Sequence, residues 1–378
     1  MTSSSYPVKI INMKNVLSLF LILCLVSCGT LHSPYYGEKS IDWELQTMPQ
    51  NKKPVHTLFL VGDAGKLDDH TTGKNFVLDA VGKDLLATPN PTTLVYLGDN
   101  IYPWGMPPKD KKDRASMEKK INASLELAQY CNGNTFFIPG NHDWKRGQKK
   151  GLKAVKRQEK YIEKYFGDDF AHKVKMYPGD GCGDPKEIKI HKDLVFIFID
   201  SQWWLQNWEE EKRINKGCDI KTRADLLQRM EEIFLDHKND EIVVLMHHPI
   251  KSNGEHGGHF SWKHHLFPLH EIKNLWIPLP VIGSVVPFYR KTTGNIQDIA
   301  NKKYQELANG INDKALELGI DVIFASGHEH SLQYFEDHDV RYIVSGSGSK
   351  LNYTAAGGDA RQDATGQNRC TTSEVYCQ

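Results

Sequence analysis

Six short apolar runs in this chain stop abruptly at a glycine, carboxylate, amide or imidazole. That pattern restricts the fold more than any other feature. Thr57 to Val61 runs into Gly62-Asp63, and Leu94 to Leu97 into Gly98-Asp99-Asn100-Ile101-Tyr102. Thr135 to Ile138 meets Pro139-Gly140-Asn141-His142-Asp143, and Leu194 to Ile199 meets Asp200-Ser201. Glu241 to Met246 ends in His247-His248, and Asp321 to Ala325 in Ser326-Gly327-His328-Glu329-His330. Runs of this length suit strands buried on both faces better than helices. Between them lie stretches with apolar residues near helical spacing: Asn75 to Ala87, Met117 to Tyr130, Leu152 to Phe166, Arg223 to His237 and Asn301 to Leu318. Strand alternating with helix predicts an α/β fold with mainly parallel pairing. Polar groups at the C-terminal ends of such strands stand where open α/β sheets keep their sites.

The chain has 378 residues, 39% of them hydrophobic and 10% aromatic, enough for a sizeable core in one large domain or two ordinary ones. Its 47 basic and 47 acidic residues cancel, which argues against a general nucleic-acid binder. Seventeen histidines are many for this length, and eleven of them lie between His237 and His338, as around a metal site.

The N-terminal segment does not read as part of the fold. Lys9 and Lys14 precede an apolar run from Val16 to Val26, too short to span a bilayer, so residues 1–28 read as a signal peptide. Met13 makes a tidier start than Met1. The closing Leu25-Val26-Ser27-Cys28 resembles a bacterial lipoprotein box, with lipid on Cys28; the alternative is an ordinary cleaved signal and a chance cysteine. Lipidation would tether the domain to a membrane without spanning it. Residues 29–53 read as a tether, 54–350 as the folded domain, and 351–378 as a disordered tail or the truncated start of a further region. Of seven cysteines, five remain outside the signal and lipid positions. Cys182–Cys218 and Cys370–Cys377 are possible disulfides, with the pairing left open.

Other segments take blander readings. Asp200 reads as a turn cap rather than a catalytic acid, and Trp203, Trp204 and Trp208 as a packed loop. Asn253 to His259 reads as a flexible histidine-bearing loop. An insertion at about 260–300 contains an apolar stretch, Leu275 to Tyr289, broken by Pro278, Pro280 and Pro287. It either packs beside the site or touches a lipid surface.

Collected in order, the strand-end groups are Asp63, Asp99, Tyr102, Asn141, His142, His247, His328 and His330. Oxygen and imidazole donors without a CxxC thiolate pair suit Fe, Mn or Zn. Two such ions can hold a phosphate between them and activate water. A tyrosine oxygen favours a trivalent ion at one position.

The blocks Gly62-Asp63, Gly98-Asp99-Asn100-Ile101-Tyr102, Gly140-Asn141-His142-Asp143, Val244-Leu245-Met246-His247 and Gly327-His328-Glu329-His330 resemble the five motif blocks of the calcineurin-like metallophosphoesterases. Tyr102 in the GDxxY spacing, and Gly65 where many members carry a histidine, make the chain similar to the purple acid phosphatase branch. The resemblance covers about residues 55–350. It implies a four-layer α/β/β/α sandwich, two mostly mixed β-sheets flanked by helices. It further implies one metal on Asp63, Asp99, Tyr102 and His330, and a second on Asp99, Asn141, His247 and His328, iron paired with Fe, Zn or Mn. His142 would contact the phosphate, and His256, in Glu255-His256-Gly257, would protonate the leaving oxygen. His247 is preferred to His248 because it holds the fourth position of the VxxH pattern.

The expected function is hydrolysis of phosphate monoesters by attack of a hydroxide generated on the metals. The alternatives are a phosphodiesterase acting on nucleotides or phospholipids, the phosphoesterase domain of a larger envelope protein, and a surface binding module that keeps the fold only as a scaffold. The expected partners are a phosphate ester and, through Cys28, a membrane, with no specific nucleic acid. The expected location is the bacterial cell envelope, lipid-anchored and facing the periplasm or the surface.

Overall fold

The structure, a computed structural model, describes residues 54–355 except 168, 169, 171 and 271–273. The expected signal segment, Cys28, the tether to residue 53 and the Cys370–Cys377 pair lie outside the described residues.

In chain order the elements are β1 (Thr57–Val61), α1 (Phe76–Ala87), β2 (Thr92–Tyr96), α2 (Arg114–Leu125), β3 (Asn134–Phe137), α3 (Gly151–Lys164) and β4 (Val174–Met176). Then follow β5 (Lys186–His191), β6 (Leu194–Phe198), α4 (Ser201–Leu205), α5 (Arg223–Asp236), β7 (Glu241–Leu245), α6 (Trp262–Leu266), α7 (Val285–Thr292), α8 (Lys302–Leu318), β8 (Val322–Ser326), β9 (Leu332–Asp337) and β10 (Val340–Ser345). The first four strands form one sheet in the order β1-β2-β3-β4, and its pairs are all parallel. The other six form a mixed sheet, β5-β6-β7-β8-β10-β9, parallel through its centre with antiparallel β5 and β9 at its edges.

The period-2 geometry of a strand sorts the apolar residues into two cores. Val95, Leu97, Phe136 and Ile138 of the first sheet meet Phe196, Phe198, Val243, Leu245 and Ile323 of the second in a layer between the sheets. Phe136 and Phe198 touch edge-to-face across it, with ring centroids 5.0 Å apart. The alternate residues face helices. Tyr96 donates to the Ser124 carbonyl of α2 at 2.7 Å, and Tyr342 of β10 bonds Asn312 of α8. Burying one such side chain is worth about 1.5–3 kcal/mol, which favours the apolar runs Leu94–Tyr96 and Val322–Ala325 in β2 and β8, two strands buried at every position.

Helix ends follow local chemistry. Asn75 caps α1 by accepting from the Leu78 amide, and Thr222 with Asp225 makes a capping box at α5. Asp200 caps α4 by accepting from the Trp203 amide, as its reading as a turn cap anticipates. The tryptophan-rich loop is instead this short helix. Trp203 and Trp204 are buried in the core, because Trp144 and the Lys303 carbonyl bind Asp200 and Trp204 from neighbouring elements.

Two strands had no counterpart in the sequence reading. β4 has three residues, and β5 places only Ile188 and Ile190 among charged neighbours on a sheet edge, where charge protects against pairing. Cys182 and Cys218 form a disulfide, and Cys131 is a buried free thiol. Just beyond β10 the Asn352 amide donates to the His330 carbonyl, and Thr354 bridges to Gly254.

Candidate metal centre

The C-terminal ends of β1, β2, β3, β7 and β8 converge, and the chain turns sharply at three of them. Asp63, Asp99 and His328 have φ of 61°, 54° and 68°, a region that costs a non-glycine residue energy and is found at sites where packing enforces it. The flanking glycines are forced by contact. At Gly98 (φ 92°) a Cβ would collide with the His247 ring, and at Gly327 it would lie 2.7 Å from Asp63 Oδ2 and 2.8 Å from the Leu97 carbonyl. At Gly65 a side chain would run into the backbone of Asp99 to Ile101 within 2.6 Å, so no histidine fits there.

Around this floor the polar atoms gather. Tyr102 Oη donates to Asp63 Oδ1 at 2.7 Å and lies 3.2 Å from His330 Nε2, which is itself 3.4 Å from Asp63 Oδ1. Oxygen and nitrogen atoms of Asp63, Asp99 and His247 all lie within 4.8 Å of one another. His247 Nε2 is 3.4 Å from Asp99 Oδ1, while its Nδ1–H donates to the Leu97 carbonyl at 2.7 Å and so leaves Nε2 as the free lone pair. His328 Nε2–H donates to the Gln297 carbonyl at 3.0 Å, which frees Nδ1. Its ring stands 5.1 Å from that of His247.

The donor set fits cations. The inward end of the Asn141 amide is 3.0 Å from His247 Nε2 and 3.1 and 3.3 Å from the two Asp99 oxygens. With its nitrogen inward the amide donates to them; with its oxygen inward it joins a set made only of acceptors, which a positive ion would hold together. Two buried carboxylates on one floor, Asp63 and Asp99, call for such a charge. Burial would push the Asp99 carboxyl up, but His142 and His247 outweigh it and hold the group below the usual carboxylate range. Burial, then the neighbouring His256 and His248, keep His328 far below the usual imidazole value, so its lone pair is available. Burial, then Asp63 and Asp99, push the Tyr102 phenol well up; without a cation it stays protonated and donates to Asp63.

His248 also lies near His328, with rings 4.4 Å apart, yet both its nitrogens are engaged, by Ser201 Oγ at 2.8 Å and Gln297 Oε1 at 2.7 Å. It is a supporting residue. His142 sits at the rim. Its amide donates to Asp99 Oδ1 at 2.8 Å, its Nδ1–H to the Pro103 carbonyl at 2.8 Å, and its Nε2 is 3.8 Å from Asp99 Oδ2. His256 is close by: its ring centroid is 4.1 Å from that of His328, and Nδ1 bonds the buried Asp298 at 2.9 Å.

The histidine loop, expected to be flexible, is tied down through its backbone. The buried Glu329 carboxylate accepts from the amides of Glu255 and His256 and from Ser252 Oγ, at 2.9 to 3.0 Å. No local sequence pattern marks the roles of Glu329 and Asp298, because Glu255 and His256, which they hold, are distant in sequence. Asp143 is a third such residue: it accepts from the amides of Gly140, Asn100 and Ile101 and from the Asn100 side chain, clamping two strand ends together. Burial, then Asp99, push its carboxyl up against these donors. Lys350, beyond β10, places Nζ 3.2 Å from the centre of the Tyr102 ring, and Asp99 and Asp63 attract its charge against a burial that lowers its pKa. The only sequence signal for it was the glycine- and serine-rich turn from Ser345 to Ser349.

Residues 56–346 match the family model described as calcineurin-like phosphoesterase. No curated protein sequence matches the chain. Among solved structures, it is similar to GAP50, the anchor in the inner membrane complex of Plasmodium, at 15% identity over 81% of this chain and 76% of that one, with a TM-score of 0.46. A second is the calcineurin-like phosphoesterase YfkN from Bacillus subtilis, at 14% identity over 77% and 81% of the two chains, with a TM-score of 0.35. Family members bind two metal ions and hydrolyse phosphate esters, and the clustered Asp63, Asp99 and His247 suit such a centre. With the family model covering most of its length, the chain belongs to the calcineurin-like phosphoesterases.

Proposed function

We propose that the chain is a phosphomonoesterase of the acid-phosphatase type, with iron at one of two metal positions and Fe, Zn or Mn at the other. The observation that carries this reading is Tyr102 Oη, 2.7 Å from Asp63 Oδ1 and 3.2 Å from His330 Nε2, in a site where Gly65 leaves no room for a competing side chain. Bound metals would supply charge to the phosphoryl oxygens and activation of the attacking water. Asp63, Asp99, Tyr102 and His330 would hold one ion, and Asp99, Asn141, His247 and His328 the other. Lys350 over Tyr102 supplies positive charge where the phosphoryl group carries its negative charge, and His142 stands at the rim to contact the phosphate. Asp298 holds the His256 ring, whose Nε2 passes a proton to the leaving oxygen.

A second reading, a phosphodiesterase acting on nucleotides or phospholipids, is favoured by one observation: the exposed apolar surface of the insertion, with Phe288 69% and Ile282 68% exposed. For location we propose a lipid anchor at Cys28 in the bacterial envelope. The Cys182–Cys218 disulfide supports the oxidising compartment that this requires.

The test is to quantify metals in the purified protein and assay p-nitrophenyl phosphate beside bis-p-nitrophenyl phosphate across pH, with Asn141→Ala as control. Faster monoester cleavage, lost in the control, is expected. Faster diester cleavage would replace the first reading by the second, and turnover retained by Asn141→Ala would refute the ligand assignment.

A further inference from the structure

Among the described residues, half of the exposed large apolar side chains lie in one segment, 275–289. Trp276, Ile277, Val281, Ile282, Val286 and Phe288 face solvent, from 47% exposed for Ile277 to 83% for Val281. Folded monomers rarely leave so much contiguous apolar surface uncovered without a use for it. The segment is held in shape by its own bonds rather than by a cover. The Leu279 amide donates to the Leu266 carbonyl at 2.8 Å, the Gly283 amide to Leu279 at 2.7 Å, and Ser284 Oγ meets His265 Nδ1 at 3.0 Å. Beneath it, α7 turns Pro287 inward and Val285, Val286, Phe288 and Tyr289 outward. Arg290 at its end bonds Asp298 at 2.8 Å, and Asp298 holds His256. The apolar face and the candidate site are thus attached to one another.

We propose that this face docks on an anionic lipid bilayer, lying in the interface rather than crossing it. The chemistry of the surface selects that occupant. From 259 to 294 the sequence carries a single acid, Glu271, against the four cations Lys263, Lys273, Arg290 and Lys291, and Lys263 and Lys291 are exposed. Cations flanking an apolar patch match a negatively charged headgroup layer over hydrocarbon. Trp276 and Tyr289 carry a polar edge on an apolar ring, the type of side chain that settles at that boundary. No helix among the described residues is long and apolar enough to cross a membrane, which fits an interfacial attachment. The same chain begins with a basic, apolar segment ending in Cys28, so its N-terminal part carries a second lipid-seeking element. A weak anchor becomes a stable one when a second apolar or basic contact is added.

The experiment uses the full chain and local amide hydrogen exchange, because the N-terminal segment can bring the protein to vesicles by itself. Exchange is measured with vesicles of phosphatidylglycerol and phosphatidylcholine in equal parts, with phosphatidylcholine vesicles and without lipid. Val286→Glu/Phe288→Glu is compared with the wild type. Both positions are exposed and neither belongs to the candidate site, so p-nitrophenyl phosphate turnover in the variant checks the fold and reports separately on the proposed function. The expected result is exchange at 274–292 slowed by roughly tenfold or more on the anionic vesicles, less on the neutral ones, and not at all in the variant. Unchanged exchange with vesicles, or equal slowing in the variant, would overturn the proposal. So would protection that grows with protein concentration in the absence of lipid, which would assign the face to a second copy of the chain.

Discussion

Asp63, Asp99 and His247 on the floor of the site are fully buried or nearly so, whereas Val281, Ile282 and Phe288 of the insertion are more than two-thirds exposed. Both regions are rich in contacts, but of different origin. Each floor residue sits at the end of a strand in a sheet core, and each is bonded to another strand end: His247 to Leu97, the His328 amide to Asp63 Oδ2, the His142 amide to Asp99. The insertion is held by its own backbone bonds and by Arg290, which bonds Asp298 and lies over the Phe260 ring at 5.0 Å. The floor can place atoms to within tenths of an ångström because the sheet core behind it does not yield. The insertion carries no such constraint, so its sequence is free to serve whatever it touches.

Breaking the floor should therefore cost activity or stability, and breaking the insertion surface neither. The largest effect is expected from metal removal: dialysis against a chelator should abolish phosphate ester hydrolysis, and added Fe, Zn or Mn should restore it. Activity that survives with no metal bound would sink the assignment of the floor as a metal centre. Asn141→Ala should lower kcat/KM by at least about 100-fold, about 2.7 kcal/mol, with loss of bound metal as the accompanying sign. A variant with full metal content and full rate would show that the amide is not a ligand. Gly327→Ala should destabilise the fold by about 1–3 kcal/mol in denaturant unfolding, because its Cβ has nowhere to go between Asp63 and Leu97. An unchanged midpoint would mean that the floor yields more than its contacts imply.

A smaller effect concerns pH. Burial raises the Asp200 carboxyl from 3.8 to about 7. The native state then holds this proton more tightly than the unfolded chain does. The stability gained is complete below about pH 4 and is lost as the pH rises through about 7. Asp200→Asn should flatten the dependence of unfolding free energy on pH across that window; the same slope in both proteins would refute the attribution. The smallest effect is expected at the surface. Val286→Glu should change stability by no more than about 0.5 kcal/mol, and a larger loss would show that the apolar face packs inside the molecule.

Much of the floor was legible in sequence. A parallel strand buried on both faces must be an unbroken apolar run, and the residue that follows it must leave the sheet. Asp63, Asp99, Asn141, His247 and His328 announced themselves by that break, and Asp200 as a cap by the same break before a helix. The supporting residues were not legible. Glu329 fastens Glu255 and His256 from more than seventy positions away, and Lys350 reaches Tyr102 from beyond the last strand. No local periodicity encodes pairs so far apart. The edge strands β4 and β5 escaped for a related reason, because an edge needs little apolar area and carries charge instead.

The sequence by itself determined the order of the site-bearing strands and of the long helices and the types of donor at those strand ends, because burial and backbone geometry act over a few neighbouring residues. Only the tertiary structure decided which donors face one another, which of His247 and His248 keeps a free nitrogen, and that Leu275 to Tyr289 turns its apolar side chains outward rather than onto the site. These depend on the packing of two sheets and an insertion against each other, and contacts between distant segments are set by that packing alone.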